Sequence, residues 1–461
     1  MLREEIENAA LEQFLAENPN SLALHDEAEQ YLWGGVTHNG RYWEPTGVYI
    51  DRAEGAYKWD VDGHRYIDYW MGHGSLIFGH SHPTITAAAT EQLARGTHYG
   101  GNHAGEVRWA ELICRLVPSA EKVRFFSSGT EATMMALRLA RTATGRDKII
   151  KLDGRFHGWH DYSVMKKTAQ PPVGIPQAVA NTVEIVPANL EVIESLLQSR
   201  EFAGVIVEAD GASWGTVPNP PGFLQSLREL TRSYGAILIF DEIVSGFRYA
   251  PGGIQELEGV VPDLTCLAKI LAGGLPGGAV AGRADLLEAF SPKTAGNKFI
   301  VHHGTYNANP LSAAAGIAAL TMLAAPDAKE RVYNYINGLA LRLRAGFNQA
   351  IASAGLSGKA MCYGRGSIIH VLIGGEQVTE WPVDGDIYNP AFATELARPE
   401  VQARLRAGIP VPVLTALRLE LDLRGVQLMA GHGGFISTAH TAADIDQTVN
   451  AFAEAVTKIK L

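Results

Sequence analysis

The chain predicts an α/β fold: a large domain built on a mostly parallel sheet, and a smaller α+β domain. Three observations predict it. Between residues 83 and 325, helix-like stretches alternate with short apolar runs, the pattern of strands joined by crossover helices. Several runs are apolar at every position, as strands covered on both faces are. One of them, "ILIFDE" at 237–242, ends abruptly in two carboxylates, Asp241 and Glu242. Ligands of open α/β sheets bind outside such carboxyl ends.

The elements follow in chain order. The opening "MLREEIENAALEQFLAENPNS" is acidic from its fourth residue and reads as an amphipathic helix stopped by Asn18-Pro19-Asn20. It lacks the basic-then-apolar order of a signal peptide. Residues 31–82 are rich in aromatics and histidine and include "YKWDVDGHRYIDYW", whose Asp62-Gly63 marks a hairpin turn. Strands are expected in "KVRFF", "DKIIKL", "GVIVEA", "AILIFDE" and "DLTCLA", and helices in "PTITAAATEQLARG", "TEATMMALRLARTAT" and "GFLQSLRELTRSYG". "NPLSAAAGIAALTMLAA" reads as a buried helix closing the large domain. A long helix follows from 326, then short strands and loops, then a last helix, "TAADIDQTVNAFAEAVTKI". Residues 374–412 scatter Pro and Gly and yield no regular reading. The expected division is a 1–70 segment packing with the small domain, a 71–325 large domain and a 326–461 small domain.

Composition narrows the function classes. Hydrophobic residues make up 46% and charged residues 19% of 461, as in globular proteins. The net charge is −10 with no Lys/Arg block, so no nucleic-acid partner is expected. The longest apolar runs fall short of a bilayer span. Three widely spaced cysteines, Cys114, Cys266 and Cys362, form neither a disulfide framework nor a CxxC clip, which fits a reducing cytoplasm.

A carboxylate buried at a strand end costs several kcal/mol unless a positive group meets it (roughly,). Lys269 closes the next run, "DLTCLAKILAGGLPGG", and is followed by glycines that let a ligand approach the backbone. Each residue alone reads as a structural ion pair or a solvated lysine. Together, on consecutive strand ends, they suit pyridoxal phosphate, which needs a lysine for its Schiff base and an acid for its pyridinium nitrogen. Asp241 is then matched by a ring N–H⁺. Ile243, two residues on, can pack against the ring. "KVRFFSSGTEATMM" runs strand, Ser-Ser-Gly-Thr-Glu, helix. Ser128 to Glu131 is an S-x-x-E capping box, and Ser128, Gly129 and Thr130 also offer N–H groups at a helix N-terminus to a phosphate.

With Lys269, Asp241 and "SSGTEA" in place, the sequence resembles the class III branch of fold-type-I pyridoxal-phosphate aminotransferases. Within it, the resemblance is strongest to glutamate-1-semialdehyde aminomutase and related β-amino-acid aminotransferases. It runs from "GGVTHNGR" near 34 to "GGFISTAHT" near 441, with several blocks in order. The resemblance implies an aspartate-aminotransferase-like large domain with a mostly parallel seven-stranded sheet. It implies a phosphate cup of Ser128, Gly129 and Thr130. In "FHGWH" it implies Phe156 stacked on the ring, with His157 nearby. It puts Glu208 of "VIVEADG" close to the ring hydroxyl. Thr305 of "HHGTYNANP" would reach the neighbouring subunit's cofactor phosphate, hence a homodimer. Arg41 falls where relatives hold a substrate carboxylate, for which a guanidinium offers two parallel hydrogen bonds. Trp70 and His73 of "DYWMGHGS" would line the pocket, and Arg248 of "GFR" would serve structure.

Lys269 is thus expected to carry the cofactor and to move the substrate proton, as base and then acid. "LMAGHGGFIS" has glycines where the aminomutase pattern carries an acid. The expected reaction is therefore transfer of an amino group between an amino acid or amine and a keto or aldehyde acceptor, with glutamate-1-semialdehyde 2,1-aminomutase as the alternative. Three other readings fit less well. A Walker B reading of "ILIFDE" needs a G-x-x-x-x-G-K-[ST] loop, which the chain lacks. The pairs His80/His82, His157/His160 and His302/His303 lack a third ligand at metal-site spacing, so no metal is expected. The intact Lys269 and Asp241 argue against a non-catalytic binder.

Overall fold

The computed structural model describes residues 8–168 and 170–459; the first seven residues of the expected N-terminal helix lie outside the described residues. The chain forms two compact units, Pro83–Tyr333 and the pair Met1–His82 with Asn334–Leu461.

In Pro83–Tyr333 the strands are β1 (Lys122–Phe126), β2 (Lys148–Leu152), β3 (Val183–Val186), β4 (Phe202–Glu208), β5 (Ile237–Asp241), β6 (Leu264–Ala268) and β7 (Gly278–Gly282). They form one seven-stranded sheet in the order β1-β7-β6-β5-β4-β2-β3. All pairings are parallel except those of β7, which runs antiparallel to β1 and β6. The mostly parallel α/β fold read from the sequence is the fold observed. β4, β5 and β6 are buried at every position, as their unbroken apolar runs require.

β3 and β7 were not anticipated. β3 is a four-residue edge strand with Glu184 exposed. β7, "GAVAG", lacks the bulky residues that usually mark a strand. Its end glycines are steric necessities. A Cβ at Gly278 would lie 2.2 Å from the Ser128 carbonyl oxygen, and one at Gly282 2.4 Å from that of Asp263.

The helix Gly129–Thr144 begins with Ser128 as its N-cap and ends at Gly145 in the left-handed region, φ 69. Its buried face, including Ala132, Met135, Ala136 and Leu139, packs with Ile149, Ile206 and Ile239 of the sheet. Each large apolar side chain so buried contributes about 1.5–3 kcal/mol. The buried helix Pro310–Leu323 supports the turn after β6. Gly316 lies so close to Leu271 that a Cβ there would sit 2.5 Å from the Leu271 carbonyl oxygen. Trp109 donates its indole N–H to that same oxygen at 3.0 Å.

In the other unit, Asn-Pro-Asn does not end the opening helix region but divides it. Asn8–Glu17 stops and Pro19–Glu29 starts with Pro19 in its first turn, where the missing N–H is no loss. The expected hairpin is Tyr57–Asp60 against Arg65–Asp68, turning at Gly63 with φ 92. Ile50–Glu54 and Val426–Gln427 complete that four-stranded sheet. Ala360–Tyr363, Ile368–Ile373 and Gly433–Phe435 form a second, antiparallel sheet. The helices Tyr335–Ser353 and Ala442–Lys458 meet through stacked Phe347 and Phe452, ring centroids 3.8 Å apart. A π-helical turn, Lys329–Asn334, precedes the first of them. Short helices Ala393–Leu396 and Pro399–Ala407 occupy the stretch that had yielded no reading. Among the described residues no helix is long and apolar enough to cross a membrane.

His440 of this unit is fully buried, its Nδ1 accepting the Ser437 N–H at 3.1 Å. Burial pushes its pKa down to about 4. An unfolded chain takes up that proton near pH 6.5. Between pH 6.5 and 4 the unfolded state therefore binds more protons, and stability falls as pH falls through that window. Acidification from pH 7 to 5 is expected to cost about 2 kcal/mol through His440. Denaturant midpoints across that range check this: His440→Gln should lose less stability on acidification than the parent protein, whatever its stability at pH 7.

Candidate active site

Asp241 is the last residue of β5, and its carboxylate is buried. Its Oδ2 lies 2.7 Å from Nδ1 of His157, itself 1% exposed, and its Oδ1 accepts the Ile243 N–H at 3.1 Å. A carboxylate without such partners would cost several kcal/mol here (roughly,). The imidazole Nε2 is buried and meets no hydrogen-bond partner among the described residues. Register aligns Asp241 with Glu208 at the end of β4 and with Cys266 of β6. Lys269 follows immediately on the end of β6, with φ 52. A lysine in that left-handed conformation is strained, and such strain concentrates at functional sites. Burial pushes the Lys269 amine below its ordinary value, while Asp241 and then Glu208 pull it back. Their charges therefore reach it.

At the Gly129–Thr144 helix the capping-box reading is met in part. Ser128 Oγ accepts the Glu131 N–H at 3.3 Å, as an N-cap should. Glu131, however, reaches back to the N–H of Ser127, at 2.8 Å, rather than to that of Ser128. The N–H groups of Gly129 and Thr130 are the first of the helix and have no carbonyl one turn behind them. That end of the helix carries its positive pole. Glycines shape the cradle. A Cβ at Gly129 would come 2.7 Å from Ile243 Cδ1, and one at Gly158 2.3 Å from Thr130 Oγ1. Ile243 thus packs directly against the cup, and the Trp159 N–H donates to Thr130 Oγ1 at 3.0 Å.

Phe156 is 65% exposed, an unusual posture for an aromatic held on a buried framework. Its N–H donates to Glu208 Oε1 at 2.7 Å. Arg248 is fully buried, and burial pushes it down to about 10. Lys151, unremarked in the sequence, is also buried. It donates to the carbonyls of Ser163 and Met165 and is pushed down to about 8, chiefly by burial.

In the other unit, Arg41, Trp70 and His73 line one cavity of about 210 Å³, together with Trp43, Lys58 and Arg418. Arg41 is exposed, with Nη1 donating to Thr37 Oγ1 at 3.0 Å. Lys58 and His80 each pair with Asp68 at 2.8 Å. Burial opposes ionisation of Asp68, but these two neighbours hold it below the usual carboxylate range. Thr305 is exposed and lines a different cavity, with His98, His103, His302 and His303. Of the histidine pairs, His157 faces Asp241 and His302 accepts from Arg124 Nε at 3.0 Å. Among the described residues no three His, Cys, Asp or Glu side chains are grouped to hold a metal.

The donor set of Pro83–Tyr333 fits pyridoxal 5′-phosphate. A strand-end amine stands in the field of a buried acid, a helix N-terminus offers unpaired N–H groups, and Ile243 and the exposed Phe156 supply apolar surface for a ring. The Aminotransferase class-III family model matches residues 40–353. A glutamate-1-semialdehyde 2,1-aminomutase from Brevibacillus brevis is 38% identical over 95% of this chain and 98% of its own length. An ω-transaminase from Sphaerobacter thermophilus superposes with a TM-score of 0.81 at 34% identity, covering 95% of this chain and 97% of that one. A β-phenylalanine aminotransferase from Variovorax paradoxus gives 0.81 at 30%, covering 99% and 98%. The buried Asp241, the strained Lys269 and the Ser128–Thr130 cup thus sit in a chain that belongs to the class-III aminotransferase family.

Proposed function

We propose that this protein transfers an amino group between an amino acid or amine, β-amino acids included, and a keto or aldehyde acceptor. Its cofactor is pyridoxal 5′-phosphate. The observation that carries the reading is Lys269, strained at a strand end beside two buried carboxylates. When bound, the cofactor supplies an aldehyde that takes up the amino group and a ring that accepts electrons from the carbon losing its proton. The rest is the work of side chains. Asp241 holds the proton on the ring nitrogen, and His157 orients Asp241. Ser128, Gly129 and Thr130 bind the phosphate, while Phe156 and Ile243 flank the ring. Lys269, whose burial favours the neutral amine, takes the substrate proton and returns it one position away.

Arg41 is assigned the substrate carboxylate, with Trp70 and His73 beside it in the same cavity. Thr305 is assigned to the cofactor phosphate of a second copy, since it is exposed and lines a cavity apart from the Lys269 group. The functional unit is then a homodimer. A second reading, aminomutase, is favoured by the B. brevis relative, whose name is that of an aminomutase.

Lys269→Ala is expected to lower turnover about a thousandfold or more while the protein stays folded; near-normal activity would end the proposal. A panel of β-amino acids, α-amino acids and simple amines, read by absorbance of the bound cofactor, tests the substrate side. Arg41→Ala should raise KM for carboxylated donors by up to about fivefold, as loss of an exposed ion pair does, and leave it unchanged for simple amines. Equal losses would remove Arg41 from the carboxylate role. Transfer between molecules should also stall after one turnover without a carbonyl acceptor. Sustained isomerisation of a single substrate with no acceptor would establish the aminomutase reading instead.

A further inference from the structure

Two strand-end carboxylates stand side by side in register, Glu208 closing β4 and Asp241 closing β5. They grip consecutive residues of one loop. Asp241 takes the imidazole of His157 at 2.7 Å, and Glu208 Oε1 takes the N–H of Phe156 at 2.7 Å. Glu208 also holds a second segment. The Ser213 N–H donates to its Oε1 at 3.1 Å and the Trp214 N–H to its Oε2 at 3.0 Å. A carboxylate offers about four acceptor positions, so three of them face backbone.

The second segment is under strain. Ser213 and Trp214 lie in the left-handed region, φ 50 and 52, between Gly211 at φ 122 and Gly215 at φ 90. A non-glycine residue so placed is strained, and it persists only where its surroundings over-determine it. The Glu208 carboxylate, 6% exposed, is what the two strained N–H groups converge on.

We infer that Glu208 is a positioning residue: one buried carboxylate clips the Phe156–His157 loop and the Ser213–Trp214 turn to a single point. Its expected place near the ring hydroxyl becomes an indirect one, exerted through the Phe156 backbone. The functional importance of the clip rests on the reading of Phe156 as the residue that faces the cofactor ring. The two oxygens carry unequal loads, Oε1 two N–H groups and Oε2 one. Glu208→Gln would therefore turn its carbonyl toward Phe156 and Ser213, and its amide N–H₂ would confront the Trp214 N–H.

Hydrogen exchange of the holoenzyme, followed by mass spectrometry, tests the clip directly. Glu208→Ala should speed exchange about tenfold or more at the amides of Phe156, Ser213 and Trp214, with the sheet unchanged. Glu208→Gln should speed Trp214 alone. Unchanged exchange at all three amides in the Ala variant, or acceleration spread through the whole sheet, would overturn the inference. Should the Ala variant fail to fold, the Gln variant decides: a selective effect at Trp214 supports the clip, and no effect or an equal effect at Phe156 sinks it. Phe156→Ala separates the two readings. If that variant keeps its cofactor affinity, the ring-facing role of Phe156 fails while the exchange pattern stands.

Discussion

A carboxylate taken out of water at the end of a central strand dictates much of what surrounds it. Asp241 needs partners for both oxygens, and the chain brings them from two directions. Ile243 offers its N–H from two residues on, and His157 offers its ring from 84 residues away. That hydrogen bond puts a proton on Nδ1, because a carboxylate can only accept. Parallel pairing does the rest. Strands in register bring Glu208 and Asp241 to one edge together, and β6 runs on past Cys266, the partner of Asp241, to Lys269. Rigid strands place reactive groups more exactingly than loops can.

The same edge explains the one antiparallel strand. β7 brings Gly278 against the Ser128 carbonyl, at the mouth of the helix whose N–H groups are proposed to bind the phosphate. A side chain at 278 would push the N-cap away from the sheet. The proposed cup therefore depends on glycines at 129, 158 and 278, none of which offers a side chain to a ligand. Their contribution is the volume they leave empty.

Much of this was legible in the residues. Unbroken apolar runs identified β4, β5 and β6, because burial on both faces leaves no alternation to hide them. Asp241 and Lys269 stood out because a charge ending such a run needs a reason. What stayed hidden has a common cause: it depends on contacts distant in sequence or on the absence of side chains. β7 is mostly glycine and alanine and looks like a loop. The His157–Asp241 hydrogen bond and the three N–H donors on Glu208 join loops to strand ends, and no local spacing announces them. Lys58, Trp43 and Arg418 join Arg41, Trp70 and His73 in one cavity through folding alone. Asn18-Pro19-Asn20 carries a stop signal and a start signal in the same three residues, and the stop masks the start.

The glycine-rich stretch near the C-terminus shows how far such reading extends to specificity. Gly431 sits at φ 73, and a Cβ at Gly434 would lie 2.5 Å from Tyr69 Cβ. Both glycines are required by backbone and packing, so their presence does not by itself speak against the aminomutase reading. The difference between transfer and internal exchange then turns on how firmly a substrate is held between half-reactions. Arg41 is exposed, and its one hydrogen bond among the described residues is to Thr37, so its remaining N–H groups face water. An ion pair made at such a rim is worth about 0–1 kcal/mol. A grip that weak suits a site that must release one carbonyl product before it accepts the next substrate. Retaining one molecule through both halves would call for a desolvated clamp, where a charge-assisted pair holds far more firmly.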